Sequence, residues 1–283
     1  MNWPNYARPT ESDEDIEHIK NTYMALVAFC DEQLGRLLDK MDEENLWEDT
    51  AIIMTTDHGF LLSEHDWWAK AIMPNYQEIS HIPLMIYHPE YQNMAGQKRS
   101  YTTSTIDIMP TVLDWHGCSI PEEVQGQSLT AIMKEDSSKD RVVSCEIFGG
   151  SALITDGRYA YHYFPTHLKS EGLYEYRLHP CHMRGQFSVK EMQNTELHQG
   201  FDFTKGMPLM KIKSRDDSKR VPNHNLLGFQ DNGTRLFDLL NDPNESNPIR
   251  NPQVEERLLS RFQSIMEKHD APKEMYERFG LEK

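Results

Sequence analysis

The feature that most constrains this fold is an apolar strand that ends at a cluster of polar side chains. Residues 50–56 read Thr-Ala-Ile-Ile-Met-Thr-Thr, a short, β-branched and nearly all-apolar run. Such a run predicts a strand buried on both faces of a parallel sheet. It ends directly at Asp57-His58-Gly59. Because α/β sheets place their ligand sites at the carboxyl ends of strands, we predict an α/β fold with a site here.

A long acidic helix is predicted before this strand. Its apolar residues recur at steps of three and four: Ile16, Ile19, Tyr23, Val27, Cys30, Leu34, Leu37 and Met41. This spacing predicts one helix over about residues 13–44, with Ser12 as a capping residue. The first 50 residues hold 13 Asp or Glu against 4 Lys or Arg, so they carry −9 of the net charge of −16. We expect these carboxylates to form a solvated face rather than a metal site.

The rest of the chain predicts two kinds of architecture. Residues 81–87 predict a second strand, and residues 107–116 a helix with Asp107 as its N-cap and Gly117 at its end. After about residue 134 we predict strands over residues 141–147, 151–155, 158–164 and 234–239, a hairpin at Asp156-Gly157, and a final helix from Asn251-Pro252. The predicted domains are residues 1–134, part of an α/β domain, and residues 135–283, a small antiparallel α+β subdomain. A long loop insertion is expected at about 165–231.

Composition argues against several functional classes. The charge of −16 is opposite in sign to that of a general nucleic-acid or anionic-membrane binder, so we expect neither as a partner. The longest apolar run has eight residues, 23–30, too few to cross a bilayer, and the first residues lack the features of a signal peptide. The four cysteines are scattered, which indicates neither a zinc knuckle nor a disulfide scaffold. The compartment is left open, cytoplasmic or exported.

The polar residues after the first predicted strand are of types that can bind a metal cation and an anionic group. Asp57 and His58 can both reach one metal ion if the strand end turns sharply, and Gly59 permits such a turn. Glu64 and His65 follow on the loop, and Lys70 offers a flexible cation for an oxyanion. A polar strand-to-loop turn with a solvated lysine remains the alternative, because a three-residue motif often matches by chance.

The longer string resembles the sulfatase family of the alkaline-phosphatase-like superfamily. The resembling string runs Thr55-Thr-Asp-His-Gly, then Glu64-His65, a Trp-bearing turn and Lys70. Five further stretches match the family in order: the helix end Cys30-Asp-Glu-Gln-Leu-Gly-Arg-Leu-Leu, the strand Ile82-Pro-Leu-Met-Ile, and Thr105-Ile-Asp-Ile-Met-Pro-Thr, Gln125-Gly-Gln-Ser-Leu and Arg235-Leu-Phe-Asp-Leu-Leu-Asn-Asp-Pro-Asn-Glu. Six ordered matches make the resemblance far more specific than any one motif.

The resemblance implies a fold, an activity and residue roles. It implies part of an alkaline-phosphatase-like α/β/α sheet and hydrolysis of sulfate monoesters of a small molecule or glycan. Asp57 and His58 would be metal ligands and Lys70 would contact the sulfate ester, with His65 on the substrate side or supporting the ligands. The metal would be Ca²⁺, with Mn²⁺ or Mg²⁺ left open because imidazole is a softer ligand. Ser63 departs from the usual glycine, and His81 stands where many members carry arginine.

The nucleophile-bearing part of the family pattern is absent from these 283 residues. The family nucleophile is made from Cys or Ser in C/S-x-P-x-R, which none of the cysteines fits. One serine fits, Ser246 in Ser-Asn-Pro-Ile-Arg, but it follows the closing motif of the family pattern instead of preceding Asp57. The family's Asp-Asp pair has no counterpart except Asp216-Asp217, in a polar Lys/Arg-rich stretch. The resemblance therefore implies a C-terminal portion that is inactive and binds metal weakly alone. Its expected partners are the missing N-terminal half and, failing that, a second copy of the chain.

Several alternatives stay open at this point. A phosphodiesterase or phosphonate hydrolase of the same superfamily, or a noncatalytic module or partner subunit, would share parts of the pattern. The basic residues of 205–220 suit either a sulfated glycan or an ordinary solvated loop. Trp67 and Trp68 suit either a sugar site or packing. Five histidines at 167–224 have no standard zinc spacing and are not expected to be ligands.

Overall fold

The computed structural model describes residues 8–70, 73–136, 140–166, 172–182, 185–214 and 233–283. They form two compact units, Met1–Tyr101 with Leu129–Lys139, and Thr102–Ser128 with Asp140–Lys283. The predicted domain boundary after residue 134 stays a prediction; the two units differ from it by assigning residues 102–128 to the second.

The helices and strands follow one another in a mixed α and β order. Up to residue 134 they are α1 (Asp13–Glu43), β1 (Ile52–Thr55), β2 (Leu61–Leu62), β3 (Trp68–Ala69), α2 (Gln77–Ser80), β4 (Leu84–Tyr87), α3 (Ile108–Trp115) and α4 (Thr130–Lys134). After it they are β5 (Val143–Glu146), β6 (Ala152–Thr155), β7 (Tyr159–Tyr163), β8 (Tyr174–Arg177), β9 (Cys181–His182), β10 (Gly185–Gln186), α5 (Val189–Gln193), β11 (Thr195–His198), β12 (Leu209–Lys213), β13 (Arg235–Asp238), α6 (Pro252–Lys268) and α7 (Lys273–Phe279).

Helix α1 confirms the long acidic helix. The Ser12 hydroxyl accepts a hydrogen bond from the Asp15 amide at 3.2 Å, which satisfies one of the free N–H groups of the first turn. The predicted apolar stripe is buried at its two ends, where Ile19 and Met41 are 4% and 3% exposed. In the middle of the helix, however, Val27 and Leu37 are 47% and 51% exposed. The spacing therefore predicted the helix correctly, but burial covers only part of its apolar face.

Strand β1 corrects the predicted parallel, fully buried strand. It pairs antiparallel with β4, with Ile53 opposite Ile86, and all four of its residues are only half-buried. A run of apolar, β-branched residues indicates a strand but carries no information on the direction of its neighbour. In the described residues the chain between the two strands contains only the β2–β3 pair and short helical turns, and it returns antiparallel.

The second unit contains the predicted antiparallel α+β architecture. Its four-stranded sheet has the order β13-β7-β6-β5, with every neighbouring pair antiparallel. Asp156-Gly157 forms the predicted hairpin between β6 and β7, and Gly157 has φ +88°, which glycine adopts without strain. Helices α6 and α7 pack on this sheet. The buried core residues are Ala152, Ile154, Tyr161, Leu236, Leu258, Phe262, Met266, Tyr276 and Phe279.

Helix α6 begins where the sequence predicts. The Asn251 side chain accepts from the Val254 amide at 3.3 Å. Pro252 occupies the first helical position, where a backbone N–H would have no partner within the helix and its absence therefore costs little. Leu258, Phe262 and Met266 lie four residues apart and are buried on one face. Burying side chains of this size contributes about 1.5–3 kcal/mol each, so this face stabilises the unit substantially.

The segment predicted as a long loop insertion at about 165–231 contains regular structure. Its described residues form a three-stranded antiparallel sheet of order β11-β12-β8, the β9–β10 pair and helix α5. The prediction of a structureless loop is therefore wrong for these residues. Polar side chains hid the pattern because strands with two half-exposed faces carry little hydrophobic alternation. Among the described residues, no helix is long and apolar enough to cross a membrane.

Candidate functional site

The end of β1 brings together an acidic and an imidazole side chain. Asp57 and His58 follow the last strand residue by two and three positions. The Asp57 carboxylate accepts a hydrogen bond from the His58 amide at 3.0 Å through Oδ1. Its other oxygen, Oδ2, lies 3.1 Å from Nε2 of the His58 ring. The two residues therefore turn one oxygen and one nitrogen towards the same point.

Lys70, the residue directly after strand β3, reaches the same point. Its ammonium group contacts Nε2 of His58. The other ring nitrogen, Nδ1, lies 2.9 Å from the Gly59 carbonyl, so we assign the ring proton to Nδ1. This leaves the lone pair of Nε2 free to accept from a cation. Oδ2 of Asp57 and Nε2 of His58 are both acceptors and lie only 3.1 Å apart, so they repel each other unless a cation lies beside them. The ammonium group of Lys70 is such a cation.

The charges around Asp57 favour its ionised form. Partial desolvation raises the pKa of Asp57, but the His58 ring, backbone N–H groups and the Lys70 charge outweigh it. The pKa therefore lies below its ordinary value. The carboxylate is ionised at neutral pH, as a ligand of a hard cation needs to be.

His65 lies in a neighbouring group with Glu78. Its Nε2 lies 3.2 Å from one oxygen of the Glu78 carboxylate, and its ring stacks on Tyr76 with centroids 3.7 Å apart. Burial raises the pKa of Glu78, but the hydrogen bond from His65 outweighs this, so the pKa is lowered. The ionised carboxylate and the stacked ring fix the orientation of the imidazole. The motif string did not point to Glu78, because this residue lies 13 positions after His65 in another element.

Gly59 has a different role from the one that its sequence context indicates. It does not have a positive φ, so it is not required for a left-handed turn. Its amide donates to the Ile79 carbonyl at 2.8 Å, and a Cβ at this position would lie 1.8 Å from the Glu78 carbonyl oxygen. Glycine is therefore needed because the backbone of helix α2 passes directly against it. The same contact holds Glu78 next to the Asp57–His58 strand end.

The loop that carries Glu64 and His65 holds several residues in left-handed backbone conformations. Ser63, His65, Asp66 and Ala69 have φ values of +81°, +51°, +62° and +73°. Such conformations cost energy for residues with a Cβ and concentrate at functional sites. Ser63 occupies the position where the resembling family has glycine, and its φ explains why glycine suits it.

Replacing Ser63 with glycine is expected to stabilise the chain. Relief of the left-handed strain gains about 1–2 kcal/mol, and the more flexible unfolded chain takes back about 0.4–1 kcal/mol. We expect a net gain of about 0.5–1 kcal/mol in the free energy of unfolding, measured by urea denaturation. Gly96→Ser, at φ +76° with open space around it, is the reverse control and should destabilise. Unchanged or lower stability of Ser63→Gly would show that Ser63 is not strained.

Trp67 and Trp68 pack inside the first unit. Both are fully buried, and the Trp68 indole N–H donates to Glu11 at 2.8 Å. The Arg8 guanidinium lies over the Trp67 ring, 4.1 Å from its centroid. Of the two interpretations, packing is therefore the one that the structure supports.

The helix-start motif at residues 105–111 forms a buried ion pair in the second unit. The Asp107 carboxylate is fully buried and accepts two hydrogen bonds from Arg141, at 2.6 and 2.8 Å. It also accepts from the Ser104 and Gln127 amides. Asp107 occupies the N-cap position of α3, as predicted, but its side chain makes no capping hydrogen bond there. It closes a capping box with Ser104 at the start of the preceding turn instead. Arg141 carried no recognisable sequence signal.

Gly126, in the Gln125-Gly126 motif of the same unit, is needed because another backbone segment passes close to it. A Cβ on Gly126 would lie 2.0 Å from the Ile106 carbonyl oxygen, so the two segments of the motif pair touch backbone to backbone. Of the other predicted residues, Lys205 pairs with Glu123, Lys211 lies 3.6 Å from Glu274, and His182 bonds Glu191. Asp216-Asp217, His167, His224 and the basic residues 215–220 lie outside the described residues.

Comparison with known proteins relates the first part of the chain to sulfatases. The sulfatase family model matches residues 3–118. The chain is 36% identical over 114 residues to the N-acetylglucosamine-6-O-sulfatase of Bacteroides thetaiotaomicron, covering 40% of this chain and 20% of the relative. It is 34% identical over 131 residues to the multifunctional alkaline phosphatase superfamily protein PehA of Trinickia caryophylli, covering 46% and 25%.

The fold comparison extends over more of the chain. The structure of BT4656, solved in complex with its substrate D-glucosamine-2-N,6-O-disulfate, aligns with 88% of this chain and 40% of that protein. The TM-score is 0.52 at 20% identity, which shows a shared fold. The described chain therefore shares the fold of this solved structure. Over residues 3–118 the chain is similar to the sulfatase family. The matched regions span only a fifth to a quarter of these curated relatives.

Proposed function

We propose that this chain supplies the metal-binding and sulfate-contacting portion of a sulfatase that hydrolyses sulfate monoesters. The observation that carries the proposal is the convergence of Asp57, His58 and Lys70 at the end of β1. A carboxylate oxygen, an imidazole nitrogen and an ammonium group at one point suit a bound cation next to an anionic ester. The match of residues 3–118 to the sulfatase family model supports the same reaction.

The donor set fits a divalent cation in part. Asp57 Oδ2 and His58 Nε2, 3.1 Å apart, are close enough to bind one ion, and the proton on Nδ1 leaves Nε2 available. These two residues would hold the metal, Ca²⁺ or else Mn²⁺ or Mg²⁺. Bound there, the metal supplies electrophilic stabilisation of charge on the sulfate oxygens. Ca²⁺ takes six to eight ligands, so two are too few for tight binding.

The chain's own residues then have distinct tasks. Lys70 donates its ammonium protons to an anionic oxygen of the sulfate ester, which stabilises the negative charge that grows during hydrolysis. The Gly59 carbonyl accepts from His58 and holds its ring in the metal-binding orientation. His65, held by Glu78 and Tyr76, presents a fixed imidazole on the substrate side.

The isolated chain is expected to bind Ca²⁺ only weakly. With two donors at the end of β1, titration calorimetry with CaCl₂ at micromolar concentrations should show no measurable binding. Asp57→Ala should therefore leave the calorimetric trace unchanged, as should the control Asp49→Ala just before β1. A micromolar isotherm that disappears in Asp57→Ala alone would contradict this, because the donor set would then be complete within the chain.

We also propose that two copies of the chain associate through the exposed part of the apolar face of α1. Val27 and Leu37 on α1 and Met85 on β4 are large apolar side chains about half exposed, and β1–β4 is a two-stranded sheet in the described residues. Exposed apolar surface and strand edges favour pairing with another chain. The acidic face of α1 opposes pairing of two copies, and salt screens this repulsion.

We expect the chain to be a dimer or larger at 10–20 µM by light scattering, more so as NaCl rises from 0.05 to 0.5 M. Val27→Lys with Leu37→Lys should give a monomer, whereas Glu32→Lys, on the same helix, should not weaken association. A wild-type chain that stays monomeric near 33 kDa at high salt, without binding a hydrophobic dye, would refute self-association.

A phosphoryl-transfer function is the second candidate. The similarity to PehA, a multifunctional member of the alkaline phosphatase superfamily, favours it. The same three side chains at the end of β1 would suit a phosphate or phosphonate monoester, since these present similar anionic oxygens. The choice between the two is made by comparing sulfate with phosphate esters in an active protein that carries these residues.

The experiment that tests the proposal places residues 3–118 in the Bacteroides thetaiotaomicron relative, in exchange for its matched segment. The chimera should hydrolyse N-acetylglucosamine 6-sulfate, and Asp57→Asn should lower kcat/KM at least about 100-fold. Asp49→Asn, an exposed carboxylate before β1, is the matched control and should change it less than twofold. A folded, active chimera in which both variants behave alike would overturn the proposed role.

A further inference from the structure

Residues 63–69, the site loop, have a conformation that costs free energy. Four of them have left-handed backbone conformations: Ser63, His65, Asp66 and Ala69. Trp67 in the same loop is fully buried, yet its indole N–H has no hydrogen-bond partner among the described residues. Left-handed residues with a Cβ and unpaired buried donors are both unfavourable. Contacts from outside the site loop are therefore needed to hold it in place.

Arg8, which precedes helix α1 in the chain, makes the first of these contacts. Its Nη1 donates to the carbonyl oxygens of His65 and Asp66, at 3.1 and 2.9 Å. It also donates to the Asp66 carboxylate at 3.1 Å. The planar guanidinium lies over the Trp67 ring, 4.1 Å from its centroid, a stacking that arginine makes and lysine does not. One arginine thus contacts three successive residues of the site loop, two of them left-handed.

Glu11 makes a second contact with the site loop. Its Oε2 accepts from the Trp68 indole N–H at 2.8 Å and from the Thr10 amide at 2.9 Å. The hydrogen bond from Thr10, followed by that from Trp68, lowers the pKa of Glu11, so the carboxylate is ionised at neutral pH. Trp68 is fully buried in β3, and Lys70 directly follows this strand. Glu11 therefore fixes the strand that leads to Lys70.

The imidazole of His65 depends on the exact place of this backbone. Its ring lies nearly parallel to that of Tyr76, with an interplanar angle of 5° and centroids 3.7 Å apart. Its Nε2 lies 3.2 Å from the Glu78 carboxylate. Both contacts are lost if the backbone at His65 relaxes to another conformation. In an active site, a misplacement of about 1 Å can lower the rate about 100-fold.

We propose that Arg8 and Glu11 are positioning residues of the site, which fix His65 and Lys70 by holding the site loop. Neither is proposed to bind the metal or the ester, and both act through the backbone and the two tryptophans of the loop. The effect on rate rests on the proposed sulfatase function. The effect on the geometry of His65 does not, so the two parts are tested separately.

The geometric test uses NMR on the full 283-residue chain with isotope-labelled histidine rings. The His65 resonance is assigned by its absence in His65→Gln, and the ring current of the stacked Tyr76 shifts it upfield. We expect Arg8→Ala to abolish most of this shift, and Arg36→Ala, which removes an exposed arginine from α1, to leave it unchanged. Mere destabilisation would lower the melting temperature without moving the resonance of the folded chain.

The kinetic test uses the chimera that carries residues 3–118. We expect Arg8→Ala to lower kcat/KM for N-acetylglucosamine 6-sulfate about 10- to 100-fold, and Arg36→Ala less than twofold. Glu11→Ala should lower it about tenfold, whereas Glu11→Gln keeps an oxygen acceptor for Trp68 and should retain at least half of the activity.

The outcomes separate positioning from the proposed reaction. An unchanged His65 resonance in Arg8→Ala, or equal rates of Glu11→Ala and Glu11→Gln in an active chimera, would overturn the proposal. An inactive chimera together with a shifted His65 resonance would count against the sulfatase function and still support the positioning of His65 by Arg8.

Discussion

The purified 283-residue chain is expected to show no turnover of aryl sulfates. The family nucleophile arises from a Cys or Ser in C/S-x-P-x-R N-terminal to the Asp-His motif, and no such stretch precedes Asp57 in this sequence. The one match, Ser246-Asn-Pro-Ile-Arg, follows the closing motif, so we do not expect it to serve as the nucleophile. Loss of a catalytic nucleophile lowers kcat by about 10⁶ in hydrolases, which places the rate below detection even with Asp57, His58 and Lys70 in position. The measurement is release of the aryl alcohol over hours at high protein concentration.

The Lys70→Gln variant controls for a contaminating hydrolase. Any residual rate should be the same in the wild-type chain and in Lys70→Gln, because it would come from another protein. Turnover that purifies with the chain and disappears in Lys70→Gln would contradict the expectation. It would show that another residue of these 283 acts as the nucleophile.

Replacing Gly59 with alanine is expected to be the most destabilising single-methyl change near the site. The added Cβ would lie 1.8 Å from the Glu78 carbonyl oxygen and 2.8 Å from its carbon. Both are backbone atoms, held by the hydrogen bonds from Gly59 and Phe60 to the 78–79 backbone, and cannot move aside like a side chain. Overpacking of this kind costs about 3 kcal/mol or more.

Gly35→Ala provides a control of opposite sign. Gly35 lies within α1 with nothing within 4 Å of an added Cβ, so alanine should stabilise the chain by about 1 kcal/mol through helix propensity. Urea denaturation of the three proteins measures both effects. Equal stabilities of Gly59→Ala and wild type would mean that the backbone contact between residues 59 and 78 does not form in solution.

The parts of the fold that the sequence predicts well are those that local rules determine. Helix α1 follows from its apolar spacing and Ser12 cap, and the β6–β7 hairpin from Asp156-Gly157. The start of α6 follows from Asn251-Pro252. In each case the deciding contacts lie within a few residues, so the spacing of residue types carries the information.

Contacts between distant residues explain what the sequence did not predict. The antiparallel direction of β1, the role of Gly59 against Glu78 and the Asp107–Arg141 pair all join residues that lie far apart in the chain. The strands within 165–231 were missed because their faces are mixed in polarity. At the site, the motif string singled out Asp57, His58 and Lys70, and the structure places their side chains together. The contacts that hold His65, through Glu78 and Tyr76, emerged only from the structure.

The role of Lys70 gives the most direct test of the central claim, that the end of β1 contacts a sulfate ester. In the chimera that carries residues 3–118, Lys70→Gln is compared with Lys40→Gln, which removes the same charge from an exposed ion pair on α1. We expect Lys70→Gln to lower kcat/KM for N-acetylglucosamine 6-sulfate about 100- to 1000-fold, and Lys40→Gln less than twofold. A folded, active chimera in which Lys70→Gln turns over the ester as fast as Lys40→Gln would contradict the account.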